Sequence, residues 1–280
     1  MNLILQGLST ERSAINRIAD MVDAKHVVPL NAHAFRCKGV RHSDALKAEV
    51  EAACFAAELD CTFIEAGRRL TDFGLVAMDM DSTLITIECI DEIADMQGLK
   101  PQVAEITEAA MRGEIEFRES LTRRVALLKG LDASALQRVY DERLRLSPGA
   151  ENMLATVKAA GLKTLLVSGG FTFFTDRMKT ALRLDYTHSN QLEIIDGKLT
   201  GRVVGGIVDA EEKRNTVERV CAELGISTKK AIVMGDGAND LRMMGISGMS
   251  VAFRAKPIVR EQADVALNFV GLDGILSLFE

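Results

Sequence analysis

Residues 76–88 read "VAMDMDSTLITIE", and this stretch decides how the fold is interpreted. With Leu75, its first three residues form an apolar run that is typical of a buried strand. The run ends in Asp79 and Asp81, which project to the same side of an extended chain because successive side chains alternate. Adjacent carboxylates repel each other and raise each other's pKa unless a positive charge lies between them. A core strand that ends in such a pair therefore calls for a compensating cation.

The pattern of the opening strand recurs downstream. From Leu75 onward, short apolar runs bounded by Gly, Asp or Ser alternate with helical stretches. This alternation predicts an α/β fold, with a doubly wound core and a largely parallel sheet. Residues 85–146 interrupt it with several amphipathic helical patterns and no clear strand, which predicts a helical cap inserted after the first strand. Later, Asp196-Gly197 between the apolar runs of "LEIIDGKLTGRVVG" predicts a hairpin.

The N-terminal part of the sequence has a different order of elements. Its strand and helix patterns follow the order βαββαβ, which predicts a small ferredoxin-like or ACT-like α+β module. Ser9 or Thr10 is the expected N-cap of the first helix, and Ser43 that of the second. Pro29 places its strand at a sheet edge. The predicted domains are 1–71 for this module, 72–84 with 147–280 for the α/β core, and 85–146 for the cap.

Bulk composition excludes several classes of partner. The chain is 48% hydrophobic and 26% charged, as globular proteins are, and its formal net charge of -6 gives no basic field for nucleic acid or anionic membranes. No apolar run approaches the roughly 20 residues that span a bilayer. Five scattered cysteines without a C-x-x-C pair fit reduced thiols. We therefore expect a cytoplasmic protein that binds neither nucleic acid nor membrane.

Polar groups follow three predicted strands. Ligands bind at the carboxyl ends of strands in open α/β sheets. The three strand ends are Asp79–Thr83, Ser168–Gly170 and Gly235–Asp240, and Lys213 in a later helix is a fourth candidate. Several aspartates in one place need a cation, and hard oxygen ligands select Mg²⁺. Hydroxyl, glycine N–H and ammonium groups can hold phosphate oxygens, while one carboxylate attacks phosphorus and another transfers the proton.

Each motif alone also has a simpler interpretation. The acidic pair can form a capped turn, the glycine motifs can form plain turns, and a helical lysine is usually solvated. An EF-hand loop is excluded because its sixth position is Leu84 rather than Gly and its twelfth is Ile90 rather than Glu. Because the motifs occur together, each with chemistry that the others need, we favour a phosphoryl-transfer site.

The motifs "DMDST", "VSGG", Lys213 and "GDGAND" resemble, in that order, the four motifs of the haloacid dehalogenase superfamily. The longer stretches "MRGEIEFRESLTRRVALLKGL" and "VSGGFTFF" resemble its phosphoserine phosphatases, and the similarity runs from Leu75 to the C-terminus. This resemblance implies a Mg²⁺-dependent hydrolase that converts O-phospho-L-serine to L-serine and phosphate through an aspartyl phosphate, the last step of L-serine biosynthesis.

Two other functions stay open at this point. One is a superfamily phosphatase or phosphotransferase that acts on another small phosphomonoester, such as phosphohomoserine. The other is a non-catalytic amino-acid-binding regulator, in which the N-terminal module would be the functional part.

The resemblance implies core roles for the residues that match the motifs. Asp79 would be the nucleophile and Asp81 the general acid/base. Mg²⁺ would be bound by Asp79, the backbone carbonyl of Asp81, and Asp236. The remaining matching residues would hold the phosphate or support the metal side of the site: Ser168, Gly169 and Lys213 for the phosphate, and Asn239 and Asp240 beside the metal, with Asn239 also counted among the substrate-binding residues.

In the cap, the resemblance implies groups that select the substrate. Glu88 would meet the substrate ammonium and Arg124 its carboxylate, which arginine can hold with two parallel bonds. Met111 and Phe117 would form an apolar wall. The choice of Arg124 over its neighbour Arg123 depends wholly on the family register. For the N-terminal module, a packing or homodimer role and amino-acid sensing are both left open.

Overall fold

A computed structural model describes residues 1–111 and 114–280 of the chain. Within these ranges the strands are β1 (Asn2–Gln6), β2 (His26–Asn31), β3 (Ala34–Lys38), β4 (Asp60–Ile64), β5 (Leu75–Met78), β6 (Lys163–Phe171), β7 (Tyr186–Ile195), β8 (Lys198–Val204), β9 (Ala231–Gly235), β10 (Met249–Phe253) and β11 (Val265–Leu267). The helices are α1 (Arg12–Met21), α2 (Asp44–Ala56), α3 (Cys89–Asp95), α4 (Lys100–Met111), α5 (Phe117–Leu127), α6 (Ser134–Arg138), α7 (Ala150–Ala159), α8 (Thr172–Leu182), α9 (Ala210–Glu223), α10 (Leu241–Met244) and α11 (Pro257–Gln262). Short 3-10 helices occupy Leu70–Asp72, Thr228–Lys230, Ala238–Asp240 and Leu272–Leu278, and wider turns occupy Met80–Leu84 and Val139–Arg143.

The chain divides into two compact units. The first comprises Met1–Val76, Pro148–Leu162 and Ser227–Glu280, and the second comprises Ala77–Ser147 and Lys163–Ile226. These units do not follow the predicted domains, whose boundaries stay a prediction. Strand β5 carries the chain from the first unit into the second.

The N-terminal module has the predicted βαββαβ order. Its antiparallel sheet has the strand order β2-β3-β1-β4, so β2 with Pro29 lies at an edge, as predicted. Leu3 and Leu5 of β1 pack in one apolar cluster with Ile18 of α1 and Val50 of α2. This alternation along β1 buries one face of the sheet under two amphipathic helices, which is the expected solution for a small α+β module.

The two helix caps of this module differ in how well they were predicted. Ser43 caps α2, because its hydroxyl accepts a hydrogen bond from the Leu46 N–H at 3.3 Å. The prediction for α1 was wrong, since its N-cap is Glu11 without a side-chain bond. The Thr10 hydroxyl instead donates to the Ala32 carbonyl at 3.1 Å, in the β2–β3 turn, and is used there.

Both units contain parallel strands. In the first unit the order is β11-β10-β9-β5, and the β9–β10 and β10–β11 pairs are parallel. In the second unit the order is β5-β6-β7-β8, with β6 and β7 parallel and β7 and β8 antiparallel. The predicted α/β class with a parallel sheet and an added α+β module is confirmed. The hairpin is also confirmed, with positive φ at Asp196 (48°) and Gly197 (74°) in its turn.

The helical segment that follows β5 lies within the second unit, and its two ends are paired with each other. Ile85 and Leu146 form an isolated antiparallel bridge, and the Ser147 N–H donates to the Leu84 carbonyl at 2.9 Å. Helices α3 to α6 lie between these positions, as predicted for a helical insert. Among the described residues, no helix combines the length and apolarity needed to cross a membrane.

Candidate active site

The acidic pair follows a fully buried strand and lies on an irregular turn. All four residues of β5 are buried. After Asp79 the chain forms a wide turn, in which the Leu84 N–H donates to the Asp79 carbonyl at 3.3 Å and the Ile85 N–H to the Met80 carbonyl at 3.0 Å. Ser82 within it has a φ of 54°. Asp79 and Asp81 thus follow a buried strand, and the hydrogen bonds of the turn fix the backbone that carries them.

Lys213 supplies a positive charge directly at the acidic pair. Its Nζ lies 2.8 Å from Asp79 Oδ2, and the two side chains are only 0% and 8% exposed. The other carboxylate oxygen of Asp79 accepts a hydrogen bond from the Met80 N–H at 2.7 Å. Lys213 comes from the first turn of α9, which Asp209 caps by accepting the Glu212 N–H at 2.9 Å. Because each buried charge is costly alone, each of the two groups offsets the cost of burying the other.

Asp81 is in a different electrostatic setting from Asp79. The pKa of Asp81 is raised to about 7. Burial is the main cause, and the nearby Glu88 carboxylate is the second. A hydrogen bond that Asp81 Oδ1 accepts from the Cys89 N–H at 3.2 Å and the charge of Lys213 act in the opposite direction. The two carboxyl groups therefore have environments suited to different protonation states, one paired with a cation and one able to hold a proton near neutral pH.

The motif Ser168-Gly169-Gly170 forms a bulge in β6. Val167 pairs with His188 of β7, but the next paired residue is Phe171, so the three residues between them stand out of the ladder. The buried Ser168 hydroxyl accepts the Gly170 N–H at 2.8 Å. A Cβ at Gly170 would lie 2.8 Å from Asp81 Oδ2, so only glycine allows this backbone to approach the carboxyl group.

Phe117 of α5 contacts the same bulge. A Cβ added to Gly169 would lie 3.1 Å from Phe117 Cζ, which brings the predicted apolar wall to the predicted phosphate loop. The nearby Arg118 side chain donates to Asp209, the cap of α9, at 2.6 Å. Met111, the second residue predicted for this wall, has its side chain outside the described residues.

The structure separates Arg124 from Arg123. Arg123 is exposed and pairs with Glu119 of its own helix. Arg124 is partly buried, and its Nε is buried without a hydrogen-bond partner in the described parts of the chain. Burial lowers the pKa of Arg124, while the charges of Asp91, Glu88 and Asp81 oppose that shift. Arg124 is therefore the arginine that lies among these carboxylates with hydrogen-bonding capacity unused.

Glu88 lies four residues beyond the end of the wide turn. It precedes α3 as its N-cap residue, and its carboxylate accepts a hydrogen bond from the Ser82 hydroxyl at 2.7 Å. This bond connects Glu88, which was predicted to bind substrate from the helical cap, to the turn that carries Asp81.

The third predicted strand end belongs to the first unit. The Asp240 carboxylate is fully buried and accepts the N–H groups of Asp236 at 3.2 Å and Gly237 at 3.1 Å, which folds the loop after β9 back on itself. A Cβ at Gly235 would overlap that carboxylate. The side chains of Asp236 and Asn239 are partly exposed on this loop.

One polar residue of the second unit was missed by sequence analysis. Asn190 of β7 is 1% exposed and bridges two backbone segments. It lies in "THSNQ", a polar run without apolar alternation, so the predicted hairpin began only at Leu192 and no pattern singled out this asparagine.

Comparison with known proteins identifies the family. A family model described as haloacid dehalogenase-like hydrolase matches residues 73–248. The phosphoserine phosphatase of a Polaromonas species is 61% identical over 215 residues, which cover 75% of this chain and 91% of that protein. The phosphoserine phosphatase of Haemophilus influenzae is 48% identical over 79% of this chain and 70% of its own length.

Solved structures agree. A haloacid dehalogenase family hydrolase from Salmonella enterica superposes with a TM-score of 0.88 at 32% identity, covering 100% of this chain and 98% of that one. A probable phosphoserine phosphatase from Vibrio cholerae, in its unliganded form, gives a TM-score of 0.84 at 37% identity over 99% of this chain and 85% of its own. The resemblance inferred from the motifs is confirmed: the chain belongs to the haloacid dehalogenase-like hydrolases, among relatives that are phosphoserine phosphatases.

Proposed function

We propose that this protein is a Mg²⁺-dependent phosphoserine phosphatase, which hydrolyses O-phospho-L-serine to L-serine and phosphate. The observation that carries the proposal is the buried contact of 2.8 Å between Asp79 and Lys213, next to a second carboxyl group of raised pKa. A nucleophilic carboxylate must be ionised and a proton donor must hold its proton, and these two environments favour those states.

In the proposed reaction Asp79 attacks phosphorus and the seryl oxygen leaves. Asp81 donates its proton to that oxygen, and then, as a carboxylate, removes a proton from the water that hydrolyses the aspartyl phosphate. Ser168, Gly169 and Lys213 hold the phosphate oxygens, with Asn239 as a further substrate-binding residue. The phosphorylated and free forms of Asp79 thus alternate beside Lys213.

The cation is assigned to carboxylates and one carbonyl. We propose Asp79, the Asp81 carbonyl and Asp236 as direct ligands, with Asp240 in support. This all-oxygen donor set fits Mg²⁺. When bound, the ion neutralises charge on the phosphate.

Substrate selection is assigned to the cap side chains. We assign the substrate carboxylate to Arg124, whose buried Nε has no partner among the described residues, and the ammonium to Glu88. Phe117, beside Gly169, and Met111 form the apolar wall. A zwitterion with a phosphate ester meets one cation, one anion and a phosphate cradle in this arrangement.

A substrate panel tests the proposal. Phosphate release is measured for phosphoserine, phosphothreonine, phosphohomoserine and a sugar phosphate, each with Mg²⁺ and with EDTA. Phosphoserine with Mg²⁺ should give the highest kcat/KM, and EDTA should abolish release. Preference for another ester would contradict the proposed substrate while leaving the reaction class intact.

The nucleophile has its own test. Asp79→Asn should abolish turnover, whereas Asp176→Asn, which changes an exposed aspartate of α8 in the same way, should keep wild-type activity. Near-full turnover by Asp79→Asn would contradict the assignment of Asp79 as nucleophile.

A further part of the proposal concerns the cellular compartment. The five free cysteines fit a reducing compartment, and we place the enzyme in the cytoplasm with serine biosynthesis.

We also propose a homodimer through the N-terminal module, since edge strand β2 carries partly exposed Val28 and Leu30. Sedimentation of the full chain and of Leu30→Lys would test the dimer, which the lysine should dissociate.

A further inference from the structure

We infer that Asn190 is a positioning residue that holds the two phosphate-binding elements of the second unit in register with each other. It is no part of the four motifs, and it touches backbone on both sides. This inference rests on the proposed function only in assigning phosphate to Ser168, Gly169 and Lys213.

The first contact of Asn190 satisfies a carbonyl that the bulge has removed from the ladder. Asn190 lies in register with Phe171, the residue at which pairing between β6 and β7 resumes. Its side-chain amide donates to the Gly169 carbonyl at 2.7 Å. A carbonyl shielded from water is costly to leave without a partner, so this bond fixes the peptide that follows Ser168.

The second contact reaches the segment that leads into α9. The Asn190 side-chain carbonyl oxygen accepts the Val208 N–H at 2.8 Å. Val208 directly precedes Asp209, the N-cap of α9, and Lys213 follows on the first turn of that helix. A hypothetical Cβ at Gly169 would lie 3.6 Å from the Val208 carbonyl oxygen, so the two segments that Asn190 joins are in direct contact.

The geometry gives Asn190 a role that needs both a hydrogen-bond donor and an acceptor on one side chain. One amide must donate to Gly169 and accept from Val208 at the same time, and of the side chains of this length only the amide of asparagine does both. Aspartate keeps the acceptor but loses the donor, and alanine loses both. We expect the position of Ser168 relative to Lys213 to be less well fixed in both variants. Phosphate binding should therefore weaken.

The test uses inorganic phosphate as the probe, in the presence of Mg²⁺ and without turnover. Isothermal titration calorimetry should give a Kd for phosphate at least about tenfold higher for Asn190→Asp and Asn190→Ala than for the wild type, because each variant loses at least one hydrogen bond. In steady-state assays with phosphoserine, kcat should also be lower in both variants than in the wild type. Inhibition by L-serine should be unchanged, because the cap residues bind it.

The matched control is Thr175→Val. Thr175 is also 1% exposed, and its hydroxyl is hydrogen-bonded at 2.8 Å to that of Ser189, the neighbour of Asn190, rather than to the backbone of Gly169 or Val208. It should lower thermal stability and keep the wild-type Kd for phosphate.

A Kd within about twofold of the control in both Asn190 variants would overturn the inference, and if Asn190→Ala does not fold, Asn190→Asp decides the matter. Wild-type enzyme that binds phosphate but does not hydrolyse phosphoserine would contradict the proposed function instead, and the comparison of Kd values would still judge Asn190.

Discussion

Burial and the nearby Glu88 carboxylate raise the pKa of Asp81 to about 7, from a model-compound value of 3.8. Between these two pH values the folded protein keeps a proton that the unfolded chain has lost. The free energy of unfolding must therefore fall as pH rises through this window and level off above it. The same environment leaves the carboxyl group partly protonated at neutral pH, as a donor to a leaving group requires.

We predict that Asp81→Asn removes this pH dependence. The wild type in EDTA should lose about 3 kcal/mol of unfolding free energy between roughly pH 4 and pH 7, and the variant should lose much less over the same range. Urea unfolding at a series of pH values gives both curves. Equal slopes for the two proteins would show that Asp81 titrates normally.

Arg124 and Arg123 offer a second prediction at the scale of single residues, because they are adjacent arginines in different environments. Arg124→Met should lower kcat/KM for phosphoserine by at least ~10²-fold, since two charge-assisted hydrogen bonds to the substrate carboxylate would be lost. Arg123→Met removes an exposed pair with Glu119 and should change kcat/KM less than about twofold.

The affinity for inorganic phosphate separates the possible causes of a loss at Arg124. It should be the same in both arginine variants, because phosphate has no carboxylate for the arginine to bind. A similar loss of kcat/KM in both variants would contradict the assignment to Arg124.

At the scale of elements, the β7–β8 hairpin supports the cap helix that carries Phe117 and Arg124. The Gly130 N–H donates to the Leu199 carbonyl at 2.8 Å, and the Leu199 N–H donates to the Leu131 carbonyl at 2.8 Å. Gly201 of β8 has a φ of 82°, and a Cβ there would lie 3.1 Å from the Ala126 carbonyl oxygen of α5. The hairpin and α5 therefore pack backbone against backbone.

We predict that Gly201→Ala disturbs α5 and raises KM for phosphoserine several-fold, with a stability loss of roughly 1–3 kcal/mol. Gly197→Ala is the matched control. It has a positive φ of 74° in the same hairpin, but its Cβ would meet no described atom within 4 Å. The control should lose stability through backbone strain and keep the wild-type KM. Equal KM values in both variants would mean that the hairpin does not position α5.

What the sequence could predict differs between these elements. The strand ends at Asp79 and Ser168 and the turn at Asp196-Gly197 depend on local patterns, apolar runs followed by polar or glycine residues, which one sequence displays. The bulge in β6 could not be predicted, because it is a mismatch of register between β6 and the polar start of β7. Asn190 was missed for the same reason, since a buried amide is recognised only by the backbone groups that surround it.

At the scale of the whole molecule, the N-terminal module shares a compact unit with residues 227–280. The buried Arg36 side chain donates to the Ser277 carbonyl at 3.1 Å and the Phe279 carbonyl at 2.7 Å, and pairs with Glu280 at 3.0 Å. Binding experiments on the module are therefore best made on the full chain, because residues 1–71 alone would expose these polar and apolar contacts to water.

Asp60 is the second anchor between the module and the C-terminal segment, and it carries the last prediction. Its carboxylate is 2% exposed and accepts the backbone N–H groups of Asn268, Phe269 and Val270 at 2.7, 3.0 and 3.0 Å. Asp60→Ala should lower the free energy of unfolding by about 3 kcal/mol or more, because three backbone donors lose a buried, charged acceptor together.

Glu49→Ala, which removes an exposed acid in helix α2 of the same module, should change the free energy of unfolding by less than about 0.5 kcal/mol. Urea unfolding with KM for phosphoserine measured in parallel checks both variants. The KM should stay at the wild-type value in each, because Asp60 acts on the packing of the first unit and holds none of the proposed substrate-binding groups. Asp60→Ala with wild-type stability would show that the module and the C-terminal segment are held together by their apolar contacts alone.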